Sequence, residues 1–431
     1  MRKVFMVAGG VTKFAKAIPE KSFQFLVKEA FDAALADVPK LDPARIDGSV
    51  ASYFSDHFTR QLKAASMVQD YLGLCPRPSK RIEGGGATGG LCFQAAYEAV
   101  ASGRMNLCLA FGFEVMSHVN TWKGNEFIAL ASDTNFDYPV GGFYSGYYAM
   151  MVVRHMHEFG TTVEQMAKVS IKNHKNARHN PYAQSPLDLT VEEVRSSPMV
   201  AYPLTMLDIC TMSDGAAVAL LAEEETAFQL TDRPVLITGV GTGTDAMRMA
   251  DRPHGEVILL PHEDPNDYKA LKYPGVHSFR AGRMAAKQAY GTAGIQEPLK
   301  ELDFIELHDA YTSSEIQTYE DLGLCRYGAG GAFIDSLPLD RRTGRLPRAN
   351  PILGGEGGVY VNPSGGLLAC GHPVGASGLM QAVFALWQLQ GRIAEKFGDD
   401  ALQVPGAKRG LIHSHAGTGT YVTVTILEAV S

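Results

Sequence analysis

The chain has 431 residues, of which 45% are hydrophobic, which is enough for a large core and two domain-sized halves. Its net charge of −7 comes without a basic run, so nucleic acid is excluded as an expected partner. No apolar run reaches about 18 residues, so we expect no membrane-spanning helix and a cytoplasmic location. The six cysteines are scattered without a Cys-x-x-Cys motif, which favours reduced thiols over disulfides or a metal site.

The first part of the chain alternates strand and helix patterns. Strands are predicted at 3–7, 45–52, 79–82 and 106–113, and helices at 23–35, 59–72 and 87–102. Alternation of this kind indicates a sheet with parallel strands that helices cover. The fold class is therefore α/β.

Residues 117–199 break this alternation with a mixture of aromatic, glycine and polar residues. Helices are predicted at 147–159 and 163–178. A segment of this length is rarely without structure of its own. We interpret it as a loop or lid domain that packs on the sheet and covers a pocket.

The rest of the chain repeats the first pattern. Strands are predicted at 216–221, 235–239, 303–308, 409–414 and 421–428, and helices at 313–322 and 379–390. A faint internal repeat pairs 82–86 with 305–309 and 213–221 with 417–425. The predicted division is an N-terminal half at 1–116 and 200–232, the lid at 117–199, and a C-terminal half at 233–431.

The most informative motif is Asn362-Pro-Ser-Gly-Gly-Leu-Leu-Ala-Cys-Gly-His-Pro-Val-Gly-Ala-Ser-Gly378. Its glycines allow the backbone to expose N–H groups beside the imidazole of His372. Acyl chemistry needs this combination of a histidine with donors that face a developing oxyanion. A helix that begins near Ala376 would add the positive end of its dipole.

This motif resembles the Asn-x-x-Gly-Gly…Gly-His-Pro-x-Gly-x-Ser-Gly signature of the thiolase superfamily. Segment 306–315 is similar to the His-Asp-Cys-Phe-Thr segment of archaeal acetoacetyl-CoA and sterol-carrier-type thiolases, and 83–90 to the nucleophile segment. A weaker glycine-rich match lies at 413–419. The resemblance spans the chain and implies a five-layer αβαβα sandwich of two similar halves with a covering loop domain.

Two positions depart from the family pattern. Gly86 stands where the family has its acyl-accepting cysteine, and Ala310 stands where this branch has its acid/base cysteine. Glycine cannot form the covalent intermediate that a thiolate provides. We expect Cys92 and Cys370 to be packed core thiols rather than replacements.

The resemblance implies a site without a nucleophile but with both oxyanion holes. His57 and His118, which border the predicted pocket, are interpreted as structural, and His413 is a second candidate beside His415 for the lost acid/base. The expected catalytic residues are His372, His308, Asn362, Tyr311 and His415; the expected backbone donors are Gly86 and Gly417; the expected substrate or CoA pocket includes Gly366, Gly371 and Ser377.

Three functions remain open. The first is an enzyme that makes or breaks a C–C bond in a 3-oxoacyl-CoA without an acyl-enzyme, with coenzyme A as substrate and no permanent cofactor. The second is a retro-aldolase acting on a 3-hydroxyacyl-CoA, and the third is a non-catalytic CoA-binding subunit. Expected partners are the acyl-CoA, a second copy that pairs through a sheet edge at 106–113, and a small zinc-ribbon/OB-fold subunit.

Overall fold

The computed structural model describes residues 2–252, 257–269, 271, 278–336 and 358–430. None of the helices in these ranges is long and apolar enough to cross a membrane. The strands are β1 Val4–Val11, β2 Gly48–Ser52, β3 Ser79–Ile82, β4 Leu107–Val115, β5 Met199–Ala201, β6 Leu204–Thr205, β7 Asp214–Glu223, β8 Val235–Thr244, β9 Phe304–Glu306, β10 Tyr360–Val361, β11 Arg409–Ala416 and β12 Tyr421–Ala429. The helices are α1 Phe23–Asp37, α2 Asp56–Thr59, α3 Ala64–Tyr71, α4 Thr88–Ala101, α5 Thr121–Ala129, α6 Tyr144–Phe159, α7 Val163–Ala177, α8 Val191–Ser196, α9 Glu224–Leu230, α10 Arg280–Ala293, α11 Pro298–Glu301, α12 Thr312–Asp321, α13 Gly330–Ser336, α14 Gly366–Cys370, α15 Val374–Leu389 and α16 Ile393–Phe397.

Ten of these strands form one sheet in the order β10-β9-β11-β12-β8-β1-β7-β4-β2-β3. Each half contributes five strands, and numbering them within each half gives the same order, 3-2-4-5-1, on both sides. The directions also agree, since β2 runs parallel to β3 and β4 as β9 does to β10 and β11. The halves join where β1 meets β8 through two residue pairs.

This topology shows two similar halves and corrects one local match. β7 and β12 occupy equivalent places, so the match of 213–221 with 417–425 is right. The match of 82–86 with 305–309 is wrong, because β3 is equivalent to β10 and β9 is equivalent to β2. The sequence similarity there reflects only a shared Ile-Glu pair at the end of a strand that is followed by a helix.

The helices form three layers around the two five-stranded halves. On one outer face α1 packs against β1, β7 and β4, and on the other α10 packs against β8 and β12. Between the halves lie α4 and α15, which contact each other and strands of both halves. Every residue of α15 is buried, as a helix between two sheets requires. The result is the expected five-layer αβαβα sandwich.

Several predicted elements differ in their bounds or were missed. The helix at 59–72 is broken, because Arg60 and Lys63 adopt left-handed backbone conformations between α2 and α3. Neither α10 nor α14 was predicted. The strand at 106–113 is no sheet edge: β4 lies between β7 and β2, all nine of its residues are buried, and the edge of this half is β3.

The segment 117–199 contains α5 to α8 and the start of β5. Its helix α7 begins with a capping box in which Thr162 and Gln165 satisfy each other's backbone N–H groups. α7 packs against α12, α13 and α14 of the C-terminal half. The predicted domain boundaries remain a prediction, and the predicted halves include residues 1, 253–256, 270, 272–277, 337–357 and 431, which lie outside the described residues.

The central helices meet at glycines near their N-termini. A Cβ atom added to Gly378 of α15 would lie 2.3 Å from the backbone nitrogen of Gly90 in α4, and one added to Gly89 would lie 2.6 Å from the nitrogen of Gly378. Such distances exclude any side chain unless the helices separate. The contact brings the loops that precede both helices side by side.

We expect Gly378→Ala to destabilise the protein by about 1–3 kcal/mol, because a methyl group there forces two packed backbones apart. The matched control is Gly291→Ala in α10, where an added Cβ meets no atom within 4 Å. That change should stabilise by about 0.5–1 kcal/mol. Urea unfolding of both variants measures the difference, and a Gly378→Ala protein as stable as wild type would contradict the contact.

Candidate active site

Four histidines gather where the two central helices begin. His308 follows β9, His372 lies between α14 and α15, and His413 and His415 share one face of β11 because they are two residues apart. The ring centroid of His308 is 4.2 Å from that of His415 and 4.9 Å from that of His372. The rings of His413 and His415 are 5.6 Å apart. The structure therefore brings together three of the five predicted catalytic residues.

Burial keeps these imidazoles neutral. It lowers the pKa of His372 to about 4 and that of His413 to about 3. The pKa values of His308 and His415 lie well below the usual value, because of burial and the neighbouring histidines. At neutral pH each ring therefore carries one N–H donor and one lone pair.

Gly86 lies against two members of this cluster, His308 and His415. A Cβ atom built on it would lie 2.5 Å from the carbonyl oxygen of His415 and 3.2 Å from Cε1 of His308. The left-handed residue of this turn is Gly85, with φ 56°, and not Gly86. The backbone of β11 thus fills the space in which a nucleophilic side chain would begin.

The loop that carries His372 is fixed by hydrogen bonds. The His372 N–H faces the Thr211 carbonyl at 3.1 Å and the Ser213 hydroxyl at 3.0 Å. Nδ1 is 2.8 Å from the Ser377 hydroxyl, which itself donates to the Pro373 carbonyl at 3.0 Å. Since that carbonyl only accepts, Nδ1 carries the proton and Nε2 keeps a lone pair. Ser377 therefore orients a base.

Gly371 and Gly366, two of the residues predicted to line the pocket, are needed for the backbone conformation of this loop. Gly371 has φ 96°, and a Cβ atom there would lie 2.5 Å from the Ser213 hydroxyl. Gly366 has φ 61°, and a Cβ atom there would lie 2.3 Å from a carboxylate oxygen of Asp309. Both positions hold the loop in place, and whether they also line a substrate pocket stays a prediction.

The side chain of Asn362 is hydrogen-bonded within the protein. Its Oδ1 accepts from the Leu307 N–H at 2.8 Å, and its Nδ2 donates to Glu315 at 2.9 Å. Both ends of the side-chain amide are thus used within the protein. These bonds give Asn362 a positioning role, because Leu307 directly precedes His308, and a catalytic role of Asn362 stays a prediction.

A buried polar network extends from Asn362 into α7. Lys172 and Glu315, both with fully buried side chains, form an ion pair of 2.7 Å. Asn173 donates to Glu315 at 2.8 Å and to Asp309 at 2.6 Å, and Asp309 accepts from the first N–H groups of α14. The network ties the segment 117–199 to both histidine loops.

Tyr311 and Gly417 face the segment 117–199 as well. The Tyr311 ring stacks on Tyr148 of α6 at 3.9 Å, and its hydroxyl is 3.2 Å from that of Ser145. Burial raises the pKa of Tyr311, so its phenol stays protonated. Gly417, at φ 52°, accepts from the Tyr148 hydroxyl through its carbonyl. The N–H donor role of Gly417 stays a prediction.

No thiol is presented as an activated nucleophile. Cys92 and Cys370 are fully buried in the core cluster, as expected, and burial raises the pKa of Cys92 to about 12. Cys210 is half-buried and its N–H donates to the Ala310 carbonyl, but burial raises the pKa of its thiol too.

Within the described ranges, no cluster of three or more His, Cys, Asp or Glu could hold a metal ion.

The remaining predicted features also have a place. His57 stacks on Phe127 at 4.9 Å, and His118 Nδ1 lies 3.1 Å from the Phe58 carbonyl, so both have structural contacts.

A narrow cleft beside the Gly417 loop is bordered by α6 and the turn before it. Its lining is Ser132, Asp137, Tyr144, Tyr147, Met247, Met249, Thr418 and Thr420.

We expect Lys172→Met to destabilise the protein by about 3–5 kcal/mol, because it leaves Glu315 buried without a counter-charge. Lys168→Met is the matched control, since Lys168 lies one turn earlier on α7 and pairs with Asp335 at the surface. Its cost should be about 0–1 kcal/mol. Thermal unfolding compares the two, and equal losses would show that the buried pair contributes nothing beyond a surface pair.

Comparison with known proteins agrees with this architecture. The family model described as thiolase, N-terminal domain, matches residues 4–225, and the thiolase C-terminal domain-like model matches 267–429. An acetyl-CoA acetyltransferase of Methanothermobacter thermautotrophicus is 36% identical over 430 residues, which are 99% of this chain and 100% of the relative. The benzoylsuccinyl-CoA thiolase subunit BbsB of Thauera aromatica is 30% identical over 90% of this chain and 89% of its own.

Among solved structures, the Ltp2-ChsH2(DUF35) aldolase superposes with a TM-score of 0.74 at 24% identity, covering 99% of this chain and 98% of its own. At that identity the likeness concerns the fold alone. The two family models and the archaeal relative extend over both halves and the loops that carry the histidines. The chain therefore belongs to the thiolase family.

Proposed function

We propose that this protein makes or breaks the C–C bond of a 3-oxoacyl-CoA by direct attack of coenzyme A, without an acyl-enzyme. The observation that carries the proposal is the cluster of neutral imidazoles around Gly86, where no side chain fits. Such a cluster supplies both bases and hydrogen-bond donors in a dry site. A buried site of this kind strengthens each electrostatic contact with a developing charge.

In the cleavage direction the coenzyme A thiol gives its proton to a neutral imidazole, and the thiolate adds to the ketone carbon. Collapse of the tetrahedral adduct breaks the C2–C3 bond and leaves one new acyl-CoA. The electron pair of that bond forms the enolate of acetyl-CoA, which takes the proton back at carbon. His372 Nε2 serves as a base in this scheme, and His308 holds a carbonyl oxygen.

A retro-aldol reaction of a 3-hydroxyacyl-CoA is the second candidate, because the aldolase structure shares the fold at a TM-score of 0.74. There a base takes the hydroxyl proton and the same enolate forms, but no second coenzyme A is needed. Offering the protein each substrate with and without coenzyme A separates the two. Release of a free ketone or aldehyde identifies the aldolase, and no product from either substrate identifies a non-catalytic subunit.

A partner and a second copy belong to the proposal. The name of the Ltp2-ChsH2(DUF35) aldolase joins two proteins, which supports a second subunit beside this chain. The resemblance to the thiolase branch implies that this partner is a small zinc-ribbon/OB-fold protein. A homodimer would form through β3, the sheet edge that leads directly into the Gly86 turn. Two-fold pairing of this kind is the commonest arrangement among soluble oligomers.

We expect sequential kinetics. Without a covalent stage both substrates are present together, so initial rates should give intersecting double-reciprocal lines. Intact-protein mass spectrometry after incubation with an acyl-CoA should show no adduct. Parallel lines, or an acyl group on Cys210, would mean that a side chain carries the acyl group after all.

We expect His372→Ala to lower kcat/KM by about 10²–10³ while the protein remains folded. Because the pKa of His372 is lowered to about 4, the wild-type base stays neutral far below pH 6.5. The acid limb of the kcat/KM profile should therefore lie near pH 4 to 5. His179→Ala, at a half-exposed position outside the cluster, is the control and should keep wild-type rates.

A further inference from the structure

The phenol of Tyr148 lies between the candidate site and the helix α6. Its oxygen is 2.7 Å from Nε2 of His415 and also contacts the Gly417 carbonyl oxygen. Tyr148 is 3% exposed, and its ring is held by stacking on Tyr311. Tyr148 lies in the segment whose sequence showed only an aromatic-rich lid, so nothing in the motifs pointed to it.

These contacts fix the direction of two hydrogen bonds. A carbonyl oxygen can only accept, so the single hydroxyl proton of Tyr148 goes to Gly417. The phenol oxygen then accepts, and the donor must be the Nε2–H of His415. Because burial lowers the pKa of His415, the ring is neutral and Nδ1 is left with its lone pair.

His415 Nδ1 is the atom that this arrangement leaves free. Nδ1 is buried and has no hydrogen-bond partner among the described residues. The ring lies between Phe279, at 4.8 Å, and His308, at 4.2 Å. Leaving a buried acceptor unsatisfied costs free energy, so this lone pair calls for a hydrogen-bond donor that the described residues do not supply.

We propose that Tyr148 is a positioning residue that holds His415 as the Nε2–H tautomer, so that Nδ1 serves as the second base of the site. The inference rests on the proposed function for the reaction in which this base acts. Ala310 stands where the family resemblance places an acid/base cysteine. In this proposal His415 of β11, held by Tyr148 of α6, takes over that role. A base held in one tautomer by a neighbour is a recurrent arrangement in hydrolytic enzymes.

The test is a nitrogen NMR spectrum of protein labelled with [15N]histidine, in which protonated and unprotonated ring nitrogens have separate chemical shifts. Loss of signals in a His415→Asn variant assigns the residue. Wild-type His415 should show a protonated Nε2 and an unprotonated Nδ1 at pH 7.5. An Nδ1–H tautomer of His415 in the wild-type protein overturns the inference.

Tyr148→Phe removes the acceptor, so His415 should lose the Nε2–H preference, and kcat should fall by on the order of 10² with KM little changed. Tyr147→Phe is the matched control, because it removes the neighbouring phenol of α6 and should leave the His415 spectrum as in wild type. A Tyr148→Phe spectrum identical to wild type overturns the inference. Absence of turnover in the wild-type protein with the expected tautomer would instead reject the proposed function alone.

Discussion

The contact between the two central helices is the constraint on which the site depends. Gly89 and Gly90 of α4 meet Gly378 of α15 at distances that leave no room for a side chain. Each helix comes after the third strand of its own half, β3 or β10, so the approach brings together equivalent turns from the two halves. One turn presents Gly86 and the other presents His372. The polar groups of a single site are thus drawn from residues almost 300 positions apart.

Much of this fold could be predicted, because strands between covering helices have continuous apolar runs. The central strands were found from such runs, and the helices α1, α4 and α12 were found from helical sequence patterns. The arrangement in layers was predicted from the resemblance to the thiolase family. The break between α2 and α3 was not, since two left-handed residues with long side chains give no turn signal. α10 was missed because its buried face consists mostly of alanine and glycine, with Tyr290 as its one large apolar side chain.

The sequence identified the residues of the candidate site that belong to a motif. It did not identify the residues that only hold those motif residues in position. His308, His372 and His415 were identified from the sequence, and their rings do meet. Lys172, Asn173 and Glu315 were not, because a polar residue on a helix usually faces water and only the tertiary fold buries these three. The motif did identify Asn362, but it could not show that its side-chain amide is bonded at both ends to the protein itself.

The buried ionic network around Lys172 and the buried histidine cluster differ in how completely their hydrogen bonds are satisfied. In the network below the loops, the Lys172 ammonium has three acceptors, and Asp309 accepts from both α14 and Asn173. In the histidine cluster the imidazoles are neutral, and Nδ1 of His415 has no hydrogen-bond partner among the described residues. A satisfied network is rigid and holds its neighbours in one geometry. A buried polar atom without a partner costs stability instead. Tyr148 of α6 therefore reaches β11 at His415, the residue whose carbonyl oxygen lies 2.5 Å from a Cβ atom built on Gly86.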